Sequence, residues 1–188
     1  MFSSLSSDML LNMIDAIDTV TIPISSHLPS LRRRTAGRLV RLARELSGHT
    51  DLWAPHVQFA HASRYAVRVA ATSDYEAWLL TWLPGQSTGL HDHGGSPGAL
   101  VVLDGELDEA TLAPPRRHIP AAMVHRALET GRCRAFGPHH VHDVRNTGTV
   151  PAVSLHVYAP ALETMRRFVL DDEGRAQIVA RERAGVDW

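Results

Sequence analysis

The sequence predicts an all-β core, a barrel or jelly roll, preceded by helices. Three observations carry that expectation. From residue 65 onward the apolar residues recur with period two, in short runs rich in Val, Leu, Trp and Tyr that Gly, Pro and Asp punctuate. Before residue 50 the apolar spacing is helical instead. The chain has 188 residues, enough for one well-filled core and too few for two comfortable ones. A single domain is expected over 1–188, with a helical segment at 1–50, a barrel core at 64–160 and a C-terminal β-hairpin at 161–188.

Taken in order, Leu10, Leu11, Ile14 and Ile17 lie at helix spacing in a first segment that starts near residue 7. Leu31, Ala36, Leu39, Val40, Leu42 and Ala43 do so in a second that ends near residue 48, and Pro23 and Pro29 separate the two. Arg32, Arg33, Arg34, Arg38, Arg41 and Arg44 read as the solvated side of an amphipathic helix rather than as a phosphate-binding face. Strands are expected at 65–70, 77–83, 89–93, 99–103, 106–113, 131–136, 140–146 and 152–159. Asp104-Gly105 is a hairpin turn between two of them. A last pair, 165–170 and 178–183, flanks Asp172-Glu173-Gly174.

The formal net charge of −1 creates no field that would gather nucleic acid or an anionic membrane, so neither is an expected partner. All basic side chains are Arg. Cys133 is the single cysteine, which rules out an intrachain disulfide and a thiolate zinc knuckle, and fits a reducing cytosol. No apolar run approaches the ~18 residues needed to span a bilayer. The first eighteen residues lack a basic leader and carry Asp15 and Asp18 within their apolar run, unlike a secretory signal. A cytoplasmic protein is expected, as a monomer or small homo-oligomer.

The chemistry concentrates in the histidines. Twelve are present, and they cluster: His91 and His93, then His139, His140 and His142, then His156. Residues i and i+2 of a strand point the same way, so His91 and His93 form a ready chelate for iron, zinc, copper or nickel. His56, His61, His27, His49, His118 and His125 have no evident partners and read as surface residues.

The spacing Gly85, five residues, His91, one, His93, four, Gly98, six, Gly105 resembles the first cupin motif, with Gly98 where most cupins have Glu. His142 and Asn146 match the H-x3-N half of the second motif. The resemblance implies a cupin jelly roll, or double-stranded β-helix. Three imidazoles without a carboxylate leave a divalent charge uncancelled and coordination positions open, which suits an anionic thiolate ligand. Over residues 65–160, and above all 81–107 and 141–160, the chain resembles the cysteine dioxygenase family, mononuclear non-haem iron enzymes that add both atoms of O2 to a thiol. What the resemblance implies is Fe(II) held by His91, His93 and His142, and conversion of L-cysteine to cysteine sulfinic acid. It also implies a proton relay of Ser154, His156 and Tyr158, which share one strand face at i, i+2 and i+4. Arg68 is expected to hold the substrate carboxylate, with Arg64 as the alternative. Animal members carry a Cys at the place of Gly98, cross-linked to the Tyr matching Tyr158, and no such bond can form here. His140 shares strand parity with His142 and competes as third ligand, although the spacing to Asn146 favours His142. Other readings are a dioxygenase for a thiol such as 3-mercaptopropionate, a catalytic zinc site, and a non-catalytic cupin that senses or stores a small ligand.

Overall fold

The structure, a computed structural model, describes residues 35–113, 122–184 and 186–187. The expected first helix, Arg32, Arg33, Arg34, His27 and His118 lie outside the described residues.

The second expected helix is α1, Ala36–Gly48, which buries Leu39, Leu42, Ala43 and Leu46 on one stripe. Arg41 and Arg44 are exposed on its other side. A short helix α2, Thr50–Trp53, and a 3-10 turn, Ala54–His56, follow it. Neither was legible in the sequence, because a single turn carries no periodicity to detect.

Eleven strands form the described β core: β1 Tyr65–Ala71, β2 Glu76–Trp82, β3 His91–Asp92, β4 Gly98–Asp104, β5 Glu106–Ala113, β6 Ala122–Glu129, β7 Cys133–Phe136, β8 His142–Arg145, β9 Ala152–Tyr158, β10 Thr164–Leu170 and β11 Ala176–Arg183. They make a five-stranded sheet, β1-β2-β9-β4-β7, and a six-stranded sheet, β11-β10-β3-β8-β5-β6. From β2 to β5 and from β6 to β10 consecutive strands alternate between the sheets, while β1-β2, β5-β6 and β10-β11 are hairpins within one sheet; all ladders are antiparallel, the jelly-roll arrangement the sequence led one to expect.

Two apolar layers hold this frame. Leu80, Trp82, Leu100, Val102, Leu107, Leu128, Phe136 and Val144 meet between the sheets. On the outer face of the five-stranded sheet, Leu39, Leu42 and Leu46 of α1 pack on Val67, Leu79, Val101, Leu155 and Val157. That covering explains why β2 and β9 are buried along their whole length rather than on alternate residues. On β9 the odd residues face the helix layer, which leaves Ser154, His156 and Tyr158 to the opposite, interior face.

The structure extends the expected organisation in three places. The C-terminal hairpin joins the six-stranded sheet, because β10 pairs with β3 through Arg166↔Asp92 and Arg167↔His91. The strand expected at 89–93 is two residues long: Gly94 and Gly95 follow it with positive φ, and a Cβ on Gly94 would collide with the Thr164 backbone. Strand β6 was not anticipated. It is an edge strand exposed at most positions, and its run of Ala, Met, Arg, Leu and Glu favours a helix by local propensity, so only its eight-residue pairing with β5 makes it a strand.

Candidate functional site

The inner faces of the two sheets line an open cavity. His91, His142, Val144, Met165 and Arg167 from the six-stranded sheet and Ala66, Trp78, Leu80, His156 and Tyr158 from the five-stranded sheet line it. Arg64, Thr88 and Leu162 complete the wall.

His91 and His142 are register partners across β3 and β8, and His93 follows on the next turn of chain. The three rings lie 4.8–5.1 Å apart by centroid, and one nitrogen from each falls within 4.8 Å of the others. Burial and the neighbouring histidines hold His91 and His93 well below the ordinary imidazole pKa, and burial lowers His142 against the opposing pull of Glu109. All three are neutral at pH 7, the form that ligates a metal. The Nδ1 of His91 donates to the Gly89 carbonyl (2.9 Å) and the Nδ1 of His142 to the Glu109 carboxylate (2.9 Å), which fixes both tautomers and leaves each Nε2 with a free lone pair. Both ring nitrogens of His93 are buried without a hydrogen-bond partner among the described residues. An imidazole so desolvated needs a compensating partner, and a cation shared with His91 and His142 supplies one. The donor set fits a divalent metal.

Glu109 was not singled out from the sequence. It is 1% exposed on β5 and receives His142 Nδ1, His140 Nε2 (3.1 Å) and Arg134 Nε (2.8 Å). Burial alone would raise its pKa; the hydrogen bonds from His140, His142 and Arg134 outweigh it and hold the carboxyl well below the usual range. The available signal was parity: Glu109 shares a strand face with Leu107, so it is a charge aimed into the core. His140, the competitor for third ligand, is engaged with Glu109 and precedes β8.

Ser154, His156 and Tyr158 come together as a hydrogen-bonded chain. Ser154 Oγ meets His156 Nε2 at 2.9 Å, and His156 Nδ1 meets the Tyr158 hydroxyl at 3.5 Å. The Trp82 indole donates to Ser154 Oγ (2.9 Å), a fourth member that the sequence reading did not include. Burial, with His142 and Arg64 nearby, lowers His156 to about 3, so it is neutral. Burial raises the Tyr158 phenol well above its ordinary value, so it keeps its proton.

The two candidate carboxylate clamps part company. Arg68 lies outside the cavity lining, 3.4 Å from Glu76 and over the Trp78 ring. Arg64 lines the cavity, over the Trp82 ring at 5.2 Å, with Nε buried and without a hydrogen-bond partner among the described residues. Burial and the neighbouring Arg167 lower it to about 10, so it remains a cation at pH 7. The sequence could not separate the two because the choice turned on a gap in the hairpin before β2.

Two further residues brace the site. Asp92, fully buried between the histidines, points away from them to Arg166 Nε (2.8 Å) and so ties β3 to β10. Gly98 faces Tyr158 across β4 and β9, but a Cβ there would lie 2.5 Å from the Phe136 ring and 2.6 Å from the Val157 carbonyl. Phe136 fills the room that a cross-linking Cys would need, and it stacks on His93 at 4.7 Å. Cys133 packs with the α1 layer, far from this chemistry in role, its thiol pKa raised by burial.

The fold resembles a crystal structure from Thermus thermophilus (TM-score 0.50, 23% identity, covering 57% of this chain and 93% of that one). A double-stranded β-helix protein from Klebsiella pneumoniae aligns with a TM-score of 0.48 at 20% identity, over 69% of this chain and 94% of that one. Cysteine dioxygenase type 1 of Danio rerio is 33% identical over 101 residues, 50% of this chain and 49% of the relative. The human protein of that name is 29% identical over 124 residues, 62% of this chain and 60% of the relative. The chain thus spans about half to three fifths of the length of these relatives. The family model for cysteine dioxygenase type I matches residues 33–171, which takes in every strand from β1 through β10 and the whole histidine cluster. The chain belongs to the cysteine dioxygenase type I family.

Proposed function

We propose that the protein is an iron(II)-dependent thiol dioxygenase that converts a small thiol carboxylate to its sulfinate, with L-cysteine as the first candidate and 3-mercaptopropionate as the alternative. The observation that carries this reading is the convergence of His91, His93 and His142, with His91 and His142 on the wall of the cavity that His156 and Tyr158 of the Tyr158–His156–Ser154 chain also line. The reaction balances without a further reductant: R–S⁻ and O2 give R–SO2⁻, both oxygen atoms forming bonds to sulfur. Iron(II) held by the three imidazoles would supply the redox-active centre that lets ground-state O2 react with a closed-shell thiolate.

The chain's own groups do the rest. Neutral His156 and protonated Tyr158 form a hydrogen-bonded pair at the cavity wall, and the phenol donates to the reacting oxygen or sulfur as charge moves there. Ser154, itself held by Trp82, keeps the His156 ring in place. The carboxylate role expected of Arg68 falls in this reading to Arg64, which lines the cavity and makes no ion pair among the described residues. Trp78, Leu80, Leu162 and Met165 exclude water from the remaining wall. A cytoplasmic setting is part of the proposal and rests on the lone cysteine; no helix among the described residues is long and apolar enough to cross a membrane.

Removing one ligand at a time tests the reading. His93→Ala should lose bound iron and oxygen consumption together, while His140→Ala should retain the metal. Full iron content in the His93 variant would reject the ligand set.

A further inference from the structure

Two guanidiniums line the cavity, and they come from different sheets. Arg64 enters the five-stranded sheet immediately before β1, and Arg167 lies on β10 as the register partner of His91. Each is anchored to one of two consecutive carbonyls: Arg64 on Ser87 (3.4 Å) and Arg167 on Thr88 (2.7 Å). The anchors hold both side chains against the same stretch of chain, next to the candidate metal ligands.

The nearby carboxylates are already engaged. Glu76 is engaged with Arg68, Glu109 with Arg134, and Asp143 with Arg145. Glu182 takes the Nε edge of Arg167 (2.8 Å), outside the cavity lining. That pair leaves the second terminal nitrogen of Arg167 with no assigned acceptor among the described residues. Arg64 makes no ion pair among the described residues, and its buried Nε lacks an acceptor. No carboxylate lines the cavity among the described residues. Two guanidiniums on a wall that carries no acid among the described residues, Arg64 with no ion pair and Arg167 with a terminal nitrogen to spare, suit more than one negative charge on the ligand.

We propose that the substrate is a thiol bearing two anionic groups, a mercapto-dicarboxylate, with one carboxylate received by Arg64 and the other by Arg167. This rests on the thiol dioxygenase reading and sharpens its substrate class. A thiol with a single carboxylate, including cysteine, engages one guanidinium and leaves the other with its protein partners alone, the Ser87 carbonyl for Arg64 or Glu182 and the Thr88 carbonyl for Arg167.

The test has a binding arm and a turnover arm, both on the full chain. In the binding arm, calorimetry compares succinate with propionate on the wild-type protein, with and without metal. Succinate should bind at least tenfold tighter, the value of one additional charge-assisted contact being about ten- to a hundredfold. Equal affinities would overturn the proposal. In the turnover arm, the iron-loaded enzyme is offered mercaptosuccinate, 3-mercaptopropionate and L-cysteine. Mercaptosuccinate should have the highest kcat/KM, and Arg167→Gln should lower its kcat/KM relative to that of 3-mercaptopropionate by about tenfold or more. Turnover of the one-carboxylate thiols with that ratio unchanged would refute the two-anion cavity and leave the dioxygenase intact. If no thiol is consumed, the dioxygenase reading fails, and the succinate comparison still decides the two-anion cavity without needing a variant to fold.

Discussion

Replacing Glu109 by Ala should damage both stability and metal affinity, although Glu109 is not a candidate ligand. Its carboxylate is 1% exposed and receives three nitrogens, from His142, His140 and Arg134. Removing one partner of a buried charged network costs roughly 3–5 kcal/mol. Arg134 is 33% exposed at its side chain, so water recovers part of that loss, and about 3 kcal/mol is the expected figure. For a chain of this size that corresponds to a fall in Tm of about 6–12 °C. The same change frees the His142 ring to rotate or switch tautomer, which should weaken metal binding about 10–100-fold. Circular dichroism melts give the first quantity, and competition against a chromophoric chelator, with cobalt(II) as the optical probe, gives the second. Glu109→Gln keeps the shape and one acceptor oxygen, so it should fall between wild type and the alanine variant. A Glu109→Ala protein with wild-type Tm and wild-type metal affinity would refute the claim that this carboxylate orients the site.

Other expectations follow from the same geometry. Gly98→Cys should lower stability by about 1–3 kcal/mol through its clash with Phe136 and the Val157 carbonyl, and intact mass should show no loss of two hydrogens from a Cys–Tyr bond. Arg64→Gln should raise KM for a thiol carboxylate about ten- to a hundredfold, whereas Arg68→Gln should change it less than twofold, as read by oxygen-electrode kinetics. Burial lowers His156 in the folded state to about 3 against ~6.5 unfolded, so the unfolded chain binds more protons between those values. The stability His156 contributes is therefore complete above pH ~6.5 and is lost as pH falls toward 3, with His91, His93 and His142 acting in the same direction. Metal-free protein should show Tm falling steadily from pH 7 to pH 4, and His156→Gln should make that fall shallower.

The legible parts of this molecule were those that repeat at a fixed period or spacing. Alternation from Tyr65 to Tyr158 gave most strands to within two residues, and the parity of Ser154, His156 and Tyr158 put them on one inward face. The closeness of His91, His93 and His142 was readable because the motif they resemble fixes residue type and separation together. What escaped depends on contacts distant in sequence. Strand β6 exists through its pairing with β5 against its own helix propensity. Glu109 is significant only because His142, 33 residues later, returns beside it, and Trp82 only because Ser154 does, 72 residues later. The choice between Arg64 and Arg68 turned on which residue enters the cavity at the start of β1, a matter of backbone path rather than composition.

The central claim is that a three-histidine metal centre in this cavity adds both atoms of O2 to a thiol. Its most direct test is oxygen uptake by the iron(II)-loaded full chain with a thiol carboxylate in 18O2, with the product mass measured at the same time. The account predicts one O2 consumed per thiol and a sulfinate carrying two labelled oxygens. Disulfide with hydrogen peroxide, or no uptake by protein that retains its iron, would contradict it.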